Sequence, residues 1–265
     1  MTQNEMNILV PQKLHQIEEQ FGVKVLLAVE SGSRAWGFAS PDSDFDVRFI
    51  YKRAMNQYLK LNASRDVIEI PVDDTWDVCG WDLDKTLRLL HKSNPTLFEW
   101  LQSPICYCKT EFAERISPLM QECFSVKHML YHYLNTARHT IKDHLQGEMV
   151  RPKKYFYALR PVLACFWVLQ HQTAPPVLFD SLVAATLPDT IQSPLDYLLD
   201  IKMHAPEKTW ISPVAEIDVF LSESIAYLEA VMKDQPKDEI RSWDAVNRFF
   251  LSEISDAYES SHTIP

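Results

Sequence analysis

The 265 residues predict an α+β fold, a mixed sheet flanked by helices and followed by an all-α domain. Three observations carry that expectation. The strand-like runs "VKVLLAVE", "SDFDVRFIY" and "VIEIPVDDTWDVCGW", rich in β-branched and aromatic residues, all precede residue 110. Beyond about residue 115 the periodicity becomes helical, which sets domains at 1–115 and 116–265. Between the first two strands, "SGSRAWGFASPDSDFD" places two of the chain's 5 glycines and a pair of alternate aspartates where ordinary strand chemistry favours neither.

In chain order, residues 10 to 21 carry Val10, Leu14, Ile17 and Phe21 at helical spacing, with Pro11 suited to a first turn and Gly22 to a stop. "VKVLLAVE" reads as a buried strand ending at Ser31-Gly32-Ser33, and "SDFDVRFIY" as the next strand. Residues 67 to 81 read as two short strands bent over Pro71 to Asp74. Asp82 is placed to cap a helix whose Leu83, Leu87 and Leu90 share a face. A short helix entered at Pro95 and an extended piece follow. Helical patterns then cover roughly 120–145, 152–172, 194–204, 213–233 and 238–258, separated by segments such as "QTAPPV" and "KDQPKDE".

Composition narrows the function classes. With 46% apolar and 11% aromatic residues the chain builds a core without staples. No run of about 18 apolar residues occurs, and "MTQNEMN" lacks a basic region followed by an apolar one, so a cytoplasmic protein without membrane insertion is expected. The cysteines, at 79, 106, 108, 123 and 165, follow neither zinc spacing nor a disulfide framework and read as reduced and mostly packed. A formal charge of −10 excludes broad, non-specific capture of nucleic acid, so any such contact is local.

Two lookalike motifs fail. Gly32 and Gly37 have P-loop spacing, but Phe38 and Ala39 stand where lysine and a hydroxyl are needed. Asp42, Asp44 and Asp46 start like a calcium loop, but Val47 and Arg53 replace its glycine and bidentate glutamate. Gly32-Ser33 followed, about ten residues on, by Asp44-Phe45-Asp46 on a strand resembles the signature of the DNA polymerase β-like nucleotidyltransferase superfamily. With "GWDLDKTLRLL", "NPTLFEWLQSP" and "KKYFYALRP" downstream, the text is similar to predicted nucleotidyltransferases associated with RNA ligase and RNA cyclase neighbourhoods.

Residue chemistry agrees with that resemblance. Asp44 and Asp46 project from one side of a strand while Phe45 and Val47 turn to the core. Two neighbouring carboxylates repel unless a cation sits between them, and magnesium, or manganese, is suited when a triphosphate adds oxygens. Gly32 and Ser33 are expected to hold the outer phosphates, with Arg34 and Ser43 beside them in the nucleotide site. Two-metal phosphoryl transfer calls for a third carboxylate, and Asp77, inside a strand as in the superfamily, is preferred over Asp82.

From Lys127 to Arg160, seven Lys or Arg face two acids in an otherwise acidic protein, and Lys153, Tyr157 and Arg160 fall within about 60° of one another on a helical wheel. In related nucleotidyltransferases such a helix often reaches the triphosphate. His128 and His132 lack the glutamate of a metalloprotease helix, and Trp76, Trp81, Trp100 and Trp167 read as core rather than base-stacking platforms.

The resemblance implies transfer of a nucleoside monophosphate from an NTP, ATP first, to an acceptor hydroxyl with release of pyrophosphate. Asp44, Asp46 and Asp77 would hold two magnesium ions. The acceptor, an RNA end, a protein or a small molecule, is left open. The competing reading is an antitoxin-like regulatory protein on the same fold.

Overall fold

The computed structural model describes residues 1–40, 42–62, 64–73, 76–206, 208–236 and 241–259. Helix α1, Gln3–Phe21, starts at a reciprocal cap: Thr2 accepts from the Glu5 amide and the Glu5 carboxylate accepts from the Thr2 amide. Because this cap lies upstream of the expected start, Pro11 falls inside the helix rather than in its first turn. Met6 joins Val10, Leu14 and Ile17 in the buried stripe, and Phe21 is exposed. Gly22, at φ 60°, ends the helix in the left-handed conformation.

Strands β1 (Val23–Glu30), β2 (Phe45–Arg53), β3 (Val67–Asp73), β4 (Trp76–Asp82) and β5 (Cys106–Lys109) form one sheet in the order β3-β4-β2-β1-β5. β2 and β4 run parallel and the other neighbours antiparallel, so the sheet is mixed as expected. Two short helices, α2 (Gly32–Trp36) and α3 (Met55–Tyr58), flank β2. The bend expected over 71–74 lies partly outside the described residues.

The alternation of β2 sorts its side chains. Phe45, Val47, Phe49 and Tyr51 pack with Val78 of β4 against the buried stripe of α1. Asp46, Arg48 and Ile50 face the other way, where α4 (Leu83–His91) and α5 (Pro95–Leu101) begin the larger core. Asp82 caps α4 by accepting from the Asp84 amide, and Asn94 caps α5. Gly80 has no room for a side chain because the Phe49 ring would lie 2.2 Å from its Cβ.

The helical region comprises α6 (Phe112–Arg115), α7 (Ser117–Cys123), α8 (Val126–His144), α9 (Pro152–His171), α10 (Phe179–Thr186), α11 (Asp189–His204), α12 (Ala215–Lys233) and α13 (Asp244–Glu259). α10 was not expected, since eight residues between prolines are too few to display a helical period. The start expected for the last helix, at 238, lies outside the described residues. Although the chain becomes helical near 115, α13 returns to the sheet-bearing half, where Phe250 packs on Tyr58 and the buried Glu253 pairs with Arg115 at 3.1 Å. One apolar core runs from Leu26 to Ile254.

Candidate active site

β1 ends in Glu30, which is fully buried and accepts hydrogen bonds from the Asp46 amide, at 2.6 Å, and from the Tyr107 hydroxyl. Burial pushes its carboxyl up to about 7, against the two hydrogen bonds, which lower it. A glutamate raised from 4.5 holds a proton in the folded state that the unfolded chain releases, so its stabilising contribution is full below pH 4.5 and is lost as pH rises through 7. We expect the melting temperature to fall across that window by the equivalent of about 2–3 kcal/mol more than in Glu30→Gln, followed by calorimetry in metal-free buffer.

Gly32 follows in the turn. Its φ is 63°, and a Cβ there would lie 2.2 Å from Asp46 Oδ2, so glycine is needed both for the backbone and to let the carboxylate pack against it. Ser33, inside α2, is buried. Two expected nucleotide contacts are committed elsewhere. Arg34 donates to the backbone oxygens of Asp44, at 3.1 Å, and Ser43, at 2.6 Å, and lies over the Phe45 ring, so it braces the aspartate loop instead of projecting toward a phosphate. The Ser43 hydroxyl accepts from the Ser40 amide, and the buried Lys202 of α11 donates to the Ser40 hydroxyl at 2.8 Å. Nothing in the sequence around Lys202 signalled this tie between the helical region and the loop.

Asp46 and Asp77 stand opposite one another in the parallel register of β2 and β4. Between them lies Arg48, whose Nη2 donates to Asp46 Oδ1 at 2.9 Å and to Asp77 Oδ2 at 2.8 Å. Its signal was present in the sequence as the third member of the alternation Asp44, Asp46, Arg48. Burial, followed by the charges of Asp77 and Asp44, raises the Asp46 pKa against the attraction of Arg48 and Lys153. Asp82 is elsewhere: it pairs in register with Tyr51, roughly 16 Å along β4 from Asp77. Its carboxylate is spent on Arg53 at 2.9 Å, the Tyr58 hydroxyl at 2.9 Å and the cap of α4.

Asp44, exposed just ahead of β2, acts electrostatically on Asp46, and these carboxylates are the all-oxygen donors that a hard divalent cation takes. Among the described residues, however, no three His, Cys, Asp or Glu side chains converge as a preformed metal cluster, and between Asp46 and Asp77 the Arg48 guanidinium supplies the cationic charge.

Two clefts meet at this point. One, of about 280 Å³, is lined by Gly32, Asp46, Trp36, Tyr157, Arg160 and His132 among others; the second, of about 620 Å³, contains Asp77, and both include Ser31, Arg48 and Thr96. Lys153, Tyr157 and Arg160 do share one stripe of α9, but their situations differ. The Tyr157 ring meets Trp36 edge-on, and Lys153 lies near that phenol ring. Arg160 is buried, lies over Trp36 and donates to Glu99 Oε1 at 2.8 Å, which also accepts from the Tyr133 hydroxyl at 3.0 Å. Glu99 and Trp36 were not singled out in the sequence because both sit in apolar surroundings that read as packing. A larger cavity of about 780 Å³ between α8 and α12 contains Arg138, His139 and Lys142 but none of the motif residues.

The sequence model for the "RNA repair pathway DNA polymerase beta family" matches residues 6–252. The chain is 41% identical over 249 residues to "Uncharacterized protein YcgL" of Bacillus subtilis (strain 168), with 93% of this chain and 96% of that protein covered. The crystal structure of a nucleotidyltransferase-like protein from Exiguobacterium sibiricum 255-15 matches 94% of this chain and 91% of its own at 12% identity and a TM-score of 0.31, a likeness too distant to bear on individual residues.

Proposed function

The chain belongs to the RNA repair pathway DNA polymerase beta family, and on that premise we propose that it transfers a nucleoside monophosphate from an NTP, ATP first, to an acceptor hydroxyl and releases pyrophosphate. The observation that carries the reading is the facing pair Asp46 and Asp77 at the junction of two clefts. Nucleotide would occupy the cleft bounded by Gly32, Tyr157 and Lys153's helix, with the Gly32-Ser33 turn against the leaving pyrophosphate. The acceptor would enter beside Asp77.

The acceptor oxygen forms a bond to the α-phosphorus as the bond from that phosphorus to the bridging oxygen of the β-phosphate breaks, and pyrophosphate leaves with the electron pair. Asp77 would take the hydroxyl proton and pass it to solvent. Arg48 holds Asp77 and Asp46 in a fixed relation before substrate arrives. Asp44 and Asp46 would hold magnesium or manganese, and Asp77, expected as a third ligand, would join them only where Arg48 gives up its bond to it; the ion would neutralise charge on the phosphates and lower the pKa of the attacking hydroxyl. With five cysteines outside any disulfide, no helix among the described residues long and apolar enough to cross a membrane, and NTP as substrate, we place the activity in the cytoplasm.

The test is incubation of the purified protein with each α-labelled NTP, magnesium and a cell extract. Label joined to an acceptor, with equimolar pyrophosphate, is the expected result. Stoichiometric capture of one protein with no label transferred would instead favour the antitoxin-like reading.

Asp77→Asn is expected to leave magnesium–ATP affinity within about threefold and to slow single-turnover transfer by at least about 100-fold, because its carboxylate stands on the acceptor side. Asp82→Asn is expected to do the reverse of a catalytic variant. It keeps the helix cap but loses the charge paired with Arg53, lowering stability by about 1–3 kcal/mol in urea unfolding while transfer by the folded protein stays near wild type.

A further inference from the structure

The acceptor-side cleft has a composition of its own. Asp77, Cys79 and Trp81 lie on one face of β4 by strand alternation, and all three line the cleft that begins at Asp77. Trp81 is only partly buried. Its ring lies tilted against that of Trp100, with centroids 3.9 Å apart and planes at 32°, and Trp100, almost wholly buried, touches the same cleft. The indole is therefore packed against a buried aromatic partner while it contributes to a cavity wall. Arg48 stands at the inner end of the cleft, and the exposed Arg65, paired with Glu69, at its rim.

Resting on the transferase reading above, we propose that Trp81 is a stacking shelf for the terminal base of a single-stranded nucleic-acid acceptor. A partly exposed indole packed on a second aromatic ring suits a base, Arg48 and Arg65, though each is paired with a carboxylate, put guanidinium donors in the same cleft for the flanking phosphates, and base–indole stacking tolerates any base. Trp81 lies about 13 Å from Asp77 along the strand, which leaves room for the terminal sugar between the reacting hydroxyl and the stacked base. The contact is confined to one cleft, so it needs no broad positive surface and is compatible with a chain of net charge −10. Stacking here revises the reading of Trp81 as core alone, while Trp100 packs against it from the core.

The experiment uses the full chain, without NTP, and dye-labelled, 5′-phosphorylated hexanucleotides of RNA and of DNA, followed by fluorescence anisotropy at low salt. We expect saturable binding that is weakened at least about tenfold in Trp81→Leu and by a smaller factor in Trp81→Phe, which retains a ring. Arg65→Ala, an exposed change, should weaken binding about threefold and flatten its salt dependence. Calorimetric affinity for magnesium–ATP should be the same in all three variants as in wild type. If Trp81→Leu unfolds, the Trp81→Phe and Arg65→Ala pair still decides the matter. A preference between the two probes identifies the sugar of the acceptor. Equal oligonucleotide affinity across wild type and variants, or no oligonucleotide binding by wild type, overturns the shelf. Oligonucleotide binding that behaves as expected in a protein that transfers no label would sink the transferase reading and leave the shelf standing.

Discussion

Asp46→Asn is expected to reduce magnesium-dependent transfer by at least about 1,000-fold, equivalent to about 4 kcal/mol of transition-state stabilisation, with the fold intact. Asp46 faces the Gly32 backbone on one carboxylate oxygen and Arg48 on the other, so it has no slack to be replaced by a neighbour. Its backbone amide, held by Glu30, is untouched by the substitution. Asp44→Asn should follow it in direction, since Asp44 is the other carboxylate of the proposed metal pair. Repulsion between Asp46 and Asp77 is already relieved by Arg48, so neither variant should gain stability without metal. Quenched-flow transfer together with circular dichroism melting checks both halves of the expectation. Turnover within tenfold of wild type in either variant would remove the aspartate pair from the chemistry.

Much of this frame was legible before any coordinates. A glycine at a strand end and aspartates two apart are local signals, because a left-handed turn and strand alternation each depend on a few adjacent residues. The helix cap at Asp82 and the placement of Asp77 inside a strand were legible for the same reason. What was hidden depends on registry between distant segments. That Asp77 faces Asp46 is a property of the parallel pairing of β2 with β4, and no local pattern states it. Arg34 and Ser43 looked like phosphate ligands because they neighbour the motif, yet their hydrogen bonds run to the loop that presents Asp44. Lys202, more than 150 positions downstream, completes that loop and carries no signal of its own. Burial of polar groups is a tertiary fact, and it separates side chains that share a stripe.

Arg160 shows this separation most strongly, and its replacement is expected to have the largest effect on stability. Sequence periodicity grouped it with Lys153 and Tyr157 as a ligand for the triphosphate. In the structure its guanidinium is buried against Trp36 and paired with Glu99, whose side chain is itself mostly hidden. Removing one member of a buried pair strands the other charge, which typically costs about 3–5 kcal/mol. Arg160→Ala should therefore unfold at markedly lower urea, whereas Arg160→Met combined with Glu99→Leu, which removes both charges and keeps the volume, should recover most of the loss. Lys153→Ala should leave the unfolding midpoint unchanged and weaken magnesium–ATP binding about tenfold, because its charge acts on the Asp46 side of the cleft. Lys142→Ala, on the wall of the separate larger cavity, should change neither. Urea titration and calorimetry on the same four proteins read the two effects independently: an unfolding midpoint for Arg160→Ala equal to wild type would deny the buried pair its structural role, and equal nucleotide affinities for Lys153→Ala and Lys142→Ala would leave the N-terminal residues to hold the nucleotide alone.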